Sequence, residues 1–551
     1  MSFAQRTLLV LLALVPATAL AQEPQGATHA DTLRGSITSP QRTWWDVTFY
    51  DLHVTVNPAD SSVRGYNGIT YKVLKPAQEM QVDLQMPLEM DSVIQAGRRL
   101  KYRRDGNAFF VALAAPQRAG EVNTVVAHFH GRPRVALRAP WDGGIVWTRD
   151  SLGMAWIASA VQGFGASGYW PTKDTQADEP DSQRVAITVP DSLIDVSNGR
   201  LRSTTHHPNG TTTYEWFVSS PINNYDVAIN AGHYAHLADV YAGESGPLTL
   251  DFFPLSYHVT AAKRQFAQVT PMLACFEHWF GPYPWYEDGY KLVETPHLGM
   301  EHQSAVAYGN HFANGYLGRD LSGSGWGLRW DFIIVHESAH EWFGNSLTSQ
   351  DIADTWIHES FANYAENLYT ECQFGKEAGA SYVIGTRKLV RNDIPILGSY
   401  GVNKEGSGDV YYKGGNMLHT IRQIVNDDEK WRGILRGMNA TFRHQVITGT
   451  QLQQYMSRQA GVDLTTVFSQ YLGTTHIPVF EYKVEGMTLS YRWANVVPGF
   501  VMPLRVTLAG APYTTLHPTE NWQAAPTPVR DATRVRVDEN FYVLSRDVSK
   551  Q

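Results

Sequence analysis

Two hydrophobic periods divide this chain, and the division restricts the folds open to it. Up to about residue 245, apolar side chains recur at every second position. Leu52, Val54 and Val56 alternate with His53 and Thr55. After the turn signal Asn57-Pro58-Ala59-Asp60, Ile69, Tyr71 and Val73 alternate with Thr70 and Lys72. A period of two with Pro, Gly and Asp punctuation marks half-buried antiparallel strands. From about 246 the period lengthens to that of a helix. Apolar stripes run through 332–343, 361–369, 417–425 and 464–472, and each needs a core to face. Past about 475 alternation returns, with Leu504, Val506 and Leu508 against Arg505 and Thr507. The expected fold is multidomain α+β: an N-terminal β domain over 22–245, a mainly helical domain over 246–475 and a small C-terminal β-sandwich over 476–551.

A chain of 551 residues with 43% apolar content can bury large cores. Its net charge of -8 shows no long run of one sign, so it lacks the concentrated basic face that a nucleic-acid partner requires. Residues 1–21 read as a secretory signal peptide. Arg6 precedes the apolar run Leu8 to Val15, and Ala19-Leu20-Ala21 offers a small-residue cleavage site. A membrane anchor is the alternative, but Pro16 interrupts the run before it reaches about 20 apolar residues. The expected location is periplasmic or secreted, with no membrane span after cleavage. Cys275 and Cys372, two cysteines in all, exclude a disulfide-rich scaffold and read as buried structural residues, bonded or not. Two Gly/Ser-rich stretches, 318–327 and 398–408, are candidate active-site loops.

The chemistry centres on His336-Glu337-Ser338-Ala339-His340. On a helix, residues four apart share a face, so two imidazoles can reach one metal ion. Glu337 then sits beside the metal without binding it. The helix is expected to end near Gly344-Asn345. Glu359, after eighteen intervening residues, opens the next helical stripe, and a loop between antiparallel helices can return it to the histidines. Two His and one Glu with an open position form the ligand set of a hydrolytic zinc site. Nitrogen ligands favour Zn²⁺ over Mg²⁺ or Ca²⁺. Asp354 reads either as a partner that orients these ligands or as a helix N-terminal cap.

Several segments together resemble the aminopeptidase N family of zinc peptidases, which includes the leukotriene hydrolases. Residues 336–359 are similar to its HExxH-x18-E pattern, Trp356 to Ala362 to its WLNEGFA segment, Leu298 to His302 to GxMEN, and Tyr411 to Gly414 to YxKG. Phe280 to Trp285 and Trp170 to Asp174 also fit family landmarks, and the resemblance runs from about 45 to 485. It implies a thermolysin-like catalytic domain and one zinc per chain, bound by His336, His340 and Glu359. It further implies a zinc aminopeptidase acting on peptides with a free N-terminus. Zinc lowers the pKa of water to about 7. Glu337 is then the general base and acid, and Tyr411 the oxyanion donor. Read alone, Tyr411 would be a packed aromatic before a helix. The resemblance assigns the α-ammonium to Glu301, with Gln162 as a second amine-binding residue. Gly299 and Met300 would lie along the substrate backbone. Glu301 without that context reads as surface charge.

This chain departs from the family at His302 and His358, where Asn is usual, and at Ser360, where Gly is usual. An unperturbed histidine titrates near pH 6.5, so both histidines are expected to make substrate affinity pH-sensitive. The large C-terminal helical domain of many relatives is expected to be missing, leaving a more open site. The rival functions are a zinc endopeptidase, an epoxide hydrolase by analogy with the leukotriene branch, and a non-catalytic peptide-binding protein on the same fold. Neither the preferred N-terminal residue nor the oligomeric state is legible.

Overall fold

The structure, a computed structural model, describes residues 26–35 and 37–549, so the expected signal segment lies outside the described residues. Among the described residues, the N-terminal region builds an eight-stranded sheet. Its central strands are Ser182–Pro190, Trp45–Asn57, Ser62–Val73 and Val122–Gly131, hydrogen-bonded in that order. The expected alternation is realised: Leu52, Val54, Val56, Ile69, Tyr71 and Val73 are all buried. Each fully buried aliphatic or aromatic side chain contributes roughly 1.5–3 kcal/mol. One pairing differs from the all-antiparallel expectation. Trp45–Asn57 runs parallel to Ser182–Pro190, with Leu52 opposite Val185, because the 125 or so residues between them form other strands that bring the chain back across the sheet. The apolar residues of this region form one core, which also takes in Phe253, Leu255, Val293, Met300 and Ala307 from further along the chain.

The helices are α1 (His29–Gly35), α2 (Val259–Gln265), α3 (Val269–Phe280), α4 (Phe332–Ala339), α5 (Trp356–Phe374), α6 (Lys376–Gly385), α7 (Tyr412–Val425), α8 (Asp428–Phe442), α9 (Gly449–Ala460) and α10 (Thr465–Gly473). Four of them realise the predicted stripes. A five-stranded sheet, not read from the sequence, precedes them. It runs Leu237–Gly243, Gly246–Phe253, Tyr290–Glu294, Val306–Tyr308, Gly299–Met300. A hairpin therefore straddles the 245/246 division. Its last strands are only two or three residues long and buried, so no alternation betrays them. Gly299–Met300 is an edge strand.

After α10 the chain forms two further sheets. One contains Val479–Glu485 and Thr488–Ala494, the other Leu504–Leu508. Their buried residues, including Phe480 and Trp493, belong to the same apolar core as the helices. Cys275 on α3 and Cys372 on α5 form a disulfide with Cα atoms 6.1 Å apart. Cys275 is buried but Cys372 is exposed, because it lies in the last turn of α5, beyond the buried stripe.

Candidate active site

Helix α4 carries the site and is buried along its whole length. Ile333, Ile334 and Val335 are β-branched and intrinsically poor helix formers, so tertiary burial and the cap hold it. Asp331 supplies that cap, accepting from the amides of Ile333 and Ile334. Helix α4 stops at Ala339, short of the expected Gly344-Asn345. His340 occupies the C-cap position with helical angles of φ -64 and ψ -19, so its ring stays on the face that carries His336. Beyond it the Trp342 and Phe343 amides donate back to the Ala339 carbonyl at 3.1 and 3.2 Å, and the chain turns.

The three predicted ligands converge. Nε2 of His336 and Nε2 of His340 lie 3.5 and 3.4 Å from the same Glu359 oxygen, Oε2. One donor atom from each residue falls within 4.8 Å of the others. A tetrahedral ion with arms of about 2.1 Å has edges of about 3.4 Å, so the spacing is that of ligands around a cation. The outer nitrogens are already committed. Nδ1 of His336 pairs with Glu366 Oε1 at 2.8 Å, and Nδ1 of His340 donates to the Phe343 carbonyl at 2.9 Å. Both Nε2 lone pairs are therefore left facing inward. Glu359 Oε2 is buried with no hydrogen-bond partner. Electrostatics agree. Burial disfavours charge on His340, yet Glu359 opposite lifts its pKa to about 9, as expected of a site that demands positive charge. The residues fit a bound zinc ion.

Asp354 does not orient these ligands. It accepts from Trp356 Nε1, Tyr400 OH and the Gly449 amide, joining the start of α5 to the start of α9. Glu366 takes the orienting role for His336. It lies two turns beyond Glu359 on the same face of α5, and Tyr382 OH and Asn363 hold it at 2.7 and 3.0 Å. That seven-residue spacing was a readable signal.

The remaining predicted residues line one cavity of about 650 Å³ that opens on the metal triad. Glu337 reaches into it, and burial raises its carboxyl to about 7. Gly299 makes room for it, since a Cβ there would sit 2.8 Å from Glu337 Oε1. Met300 follows on the same edge strand and is buried. Tyr411 stands just before α7, half-buried, its ring centroid 5.9 Å from that of His336. Glu301 is buried, and its Oε1 accepts from Gln162 Nε2 and from Tyr225 OH. Gln162 Nε2 also lies 3.5 Å from Glu359 Oε1, so it bridges the carboxylate and the triad. Tyr225 was not foreseen, because 76 residues separate it from Glu301 and no local pattern marks it. Each Gly/Ser-rich stretch sends one residue to the cavity, Leu321 and Glu405.

The two unusual histidines lie elsewhere in chemical terms. His302 is completely buried, neither ring nitrogen has a partner, and burial lowers its pKa to about 3. His358 is buried, accepts from the Ser349 amide at Nε2 and is lowered to about 3. Burial thus holds both well below the unperturbed value near 6.5.

Comparison with known proteins follows the same lines. Residues 265–471 match the Peptidase family M1 domain. Rat (Rattus norvegicus) aminopeptidase B is 24% identical over 355 residues, 60% of this chain and 48% of the relative. Streptomyces lividans aminopeptidase N is 24% identical over 348 residues, 56% of this chain and 39% of the relative. The chain thus spans about half the length of such relatives or less. The crystal structure of an M1 zinc metallopeptidase from Deinococcus radiodurans superposes with a TM-score of 0.67 at 23% identity, covering 80% of this chain and 96% of that one. A point mutant of the same enzyme, bound to a Tyr-Ser-Ala substrate, superposes with a TM-score of 0.67 at 22% identity, covering 80% and 97%.

Proposed function

Because its residues 265–471 belong to peptidase family M1, we propose that this chain is a zinc aminopeptidase that removes N-terminal residues from peptides. One observation carries the reading. A buried carboxylate, Glu301, shares the cavity with the metal triad and is linked to it through a single side chain, Gln162. This link supports reading Glu301 as an anchor for a free ammonium beside the hydrolytic centre.

His336, His340 and Glu359 would hold a zinc ion, which when bound would supply the Lewis acidity that lowers the pKa of water toward neutrality. Glu337 takes the proton of the attacking water and passes it to the leaving amine. The Tyr411 hydroxyl donates to the carbonyl oxygen as it gains charge. Glu301 and Gln162 hold the α-ammonium, by charge pairing and by the amide oxygen. The unpaired edge of Gly299–Met300 takes the substrate backbone as an added strand, and Gly299 permits the close approach. We read residues 476–551 as a small β-sandwich beside the thermolysin-like catalytic domain. The signal pattern and the Cys275–Cys372 disulfide support a periplasmic or secreted protein, since disulfides persist in oxidising compartments.

The test is a panel of aminoacyl fluorogenic amides, free and N-acetylated, run with and without a chelator. Wild type should carry about one zinc per chain and cleave only the free amides. Glu337→Ala should keep the metal and lose about 10²–10⁴-fold in kcat. Zinc-loaded wild type that cleaves no aminoacyl amide would falsify the enzyme reading. Equal cleavage of acetylated substrates would favour the endopeptidase.

A further inference from the structure

The amino end of the catalytic cavity continues into a second, much smaller one of about 50 Å³. Gln162, Gly163 and Glu405 line both. Arg34, Gly35 and Ile37 line the small cavity, so the segment that carries α1 forms part of its wall. About 50 Å³ of such space accommodates roughly four waters, not another amino-acid residue. A residue preceding one whose ammonium sits at Glu301 would therefore find no room for itself in the small cavity beyond Gln162.

The segment is held to both walls of the site. Arg34 donates to the carbonyls of Gly163 (2.8 Å) and Phe164, directly after Gln162, and pairs with Asp174 at 3.0 Å. On the other side, the Asn403 amide donates to the Asp31 carbonyl at 3.1 Å, and Asn403 Nδ2 reaches the Gly163 carbonyl at 3.3 Å. Backbones press together here: a Cβ on Gly35 would lie 2.2 Å from the Asn403 nitrogen. Gln81 and Arg42 clamp the carbonyls of Leu33 and Arg34 from behind. The contacted loop, 398–408, leads directly to Tyr411.

We propose that the segment 26–35 is a stop that closes the amino end of the cavity and thereby confines the enzyme to the first peptide bond. The inference rests on the aminopeptidase reading and adds a cause for it. Glu301 recognises the ammonium, but the strap is what excludes a chain continuing past it. With the strap displaced, the same hydrolysis acts on internal bonds: water adds across the amide, its hydroxyl to the acyl carbon and its proton to the leaving nitrogen.

The experiment uses the zinc-loaded full chain, a deletion of 26–35, and Gly35→Leu, which pushes the strap off the 402–403 backbone without removing it. Each receives a seven-residue peptide with a free N-terminus and the same peptide carrying an N-benzyloxycarbonyl block, with products identified by mass spectrometry. Wild type should shorten the free peptide one residue at a time and leave the blocked one intact. Both variants should cut the blocked peptide internally at least about tenfold faster than wild type does. If the deletion does not fold, Gly35→Leu decides alone. Variants that still turn over the free peptide and remain strictly amino-terminal overturn the proposal. So do folded variants that hydrolyse neither peptide, since the strap would then be scaffold for the site. Wild type cutting the blocked peptide sinks the aminopeptidase reading itself, a separate outcome.

Discussion

At the scale of single residues, the convergence of the three candidate metal ligands was legible because its geometry is local. His336 and His340 share a helix face through their spacing, and Glu359 opens the next stripe. Their orienting partners differ in how far the sequence could reveal them. Glu366 lies on the same face as Glu359, whereas Tyr225 reaches Glu301 only through the tertiary fold. Glu366→Ala should leave the His336 ring free to rotate and weaken zinc binding about 10–100-fold, measurable by competition with a chelator. His302 makes the opposite kind of prediction. Its folded pKa of about 3 lies below the unfolded value of 6.5, so its contribution to stability is present above pH 6.5 and is lost as pH falls toward 3. Between pH 7 and pH 5 that amounts to about 2 kcal/mol. Denaturant titrations at the two pH values should show the loss, and His302→Asn should flatten it.

At the scale of elements, the long stripes were readable and the short strands were not. Helices α5 and α7 follow amphipathic patterns many residues long. The edge strand Gly299–Met300 is two residues and has no period to detect. Capping decides the most important helix. Asp331 takes the N-cap of α4 and also accepts from Gln265, Tyr308 and Asn310 at 2.7, 2.7 and 2.8 Å. The residues that receive it were invisible to sequence reasoning because they come from α2, from a buried strand and from a loop. Asp331→Ala would remove the cap and take the acceptor from the buried Tyr308 hydroxyl, while Gln265 keeps Asn314 and Asn310 keeps the Ala313 and Gly315 carbonyls. It should cost about 3 kcal/mol in urea denaturation, with activity falling in parallel as α4 loosens.

At the scale of the whole molecule, the order of β, helical and β regions came directly from the change in hydrophobic period. How the regions meet did not, because those contacts join residues far apart in sequence. The disulfide is one such contact: Cys275 and Cys372 are 97 residues apart and tie α3 to the helix that carries Glu359. Closing a loop of that length is worth on the order of 4 kcal/mol, so a reductant should lower the unfolding midpoint and release zinc at a lower temperature. The last strands are tied in just as firmly. The Tyr542 amide donates to Thr420 on α7 at 2.9 Å, Tyr471 OH donates to the Tyr542 carbonyl at 2.6 Å, and Phe480 and Trp493 lie in the catalytic core itself. A protease that nicked the chain near residue 476 would therefore not liberate a self-sufficient catalytic fragment. It would unroof the helices behind Tyr411, leaving a sticky, inactive remnant.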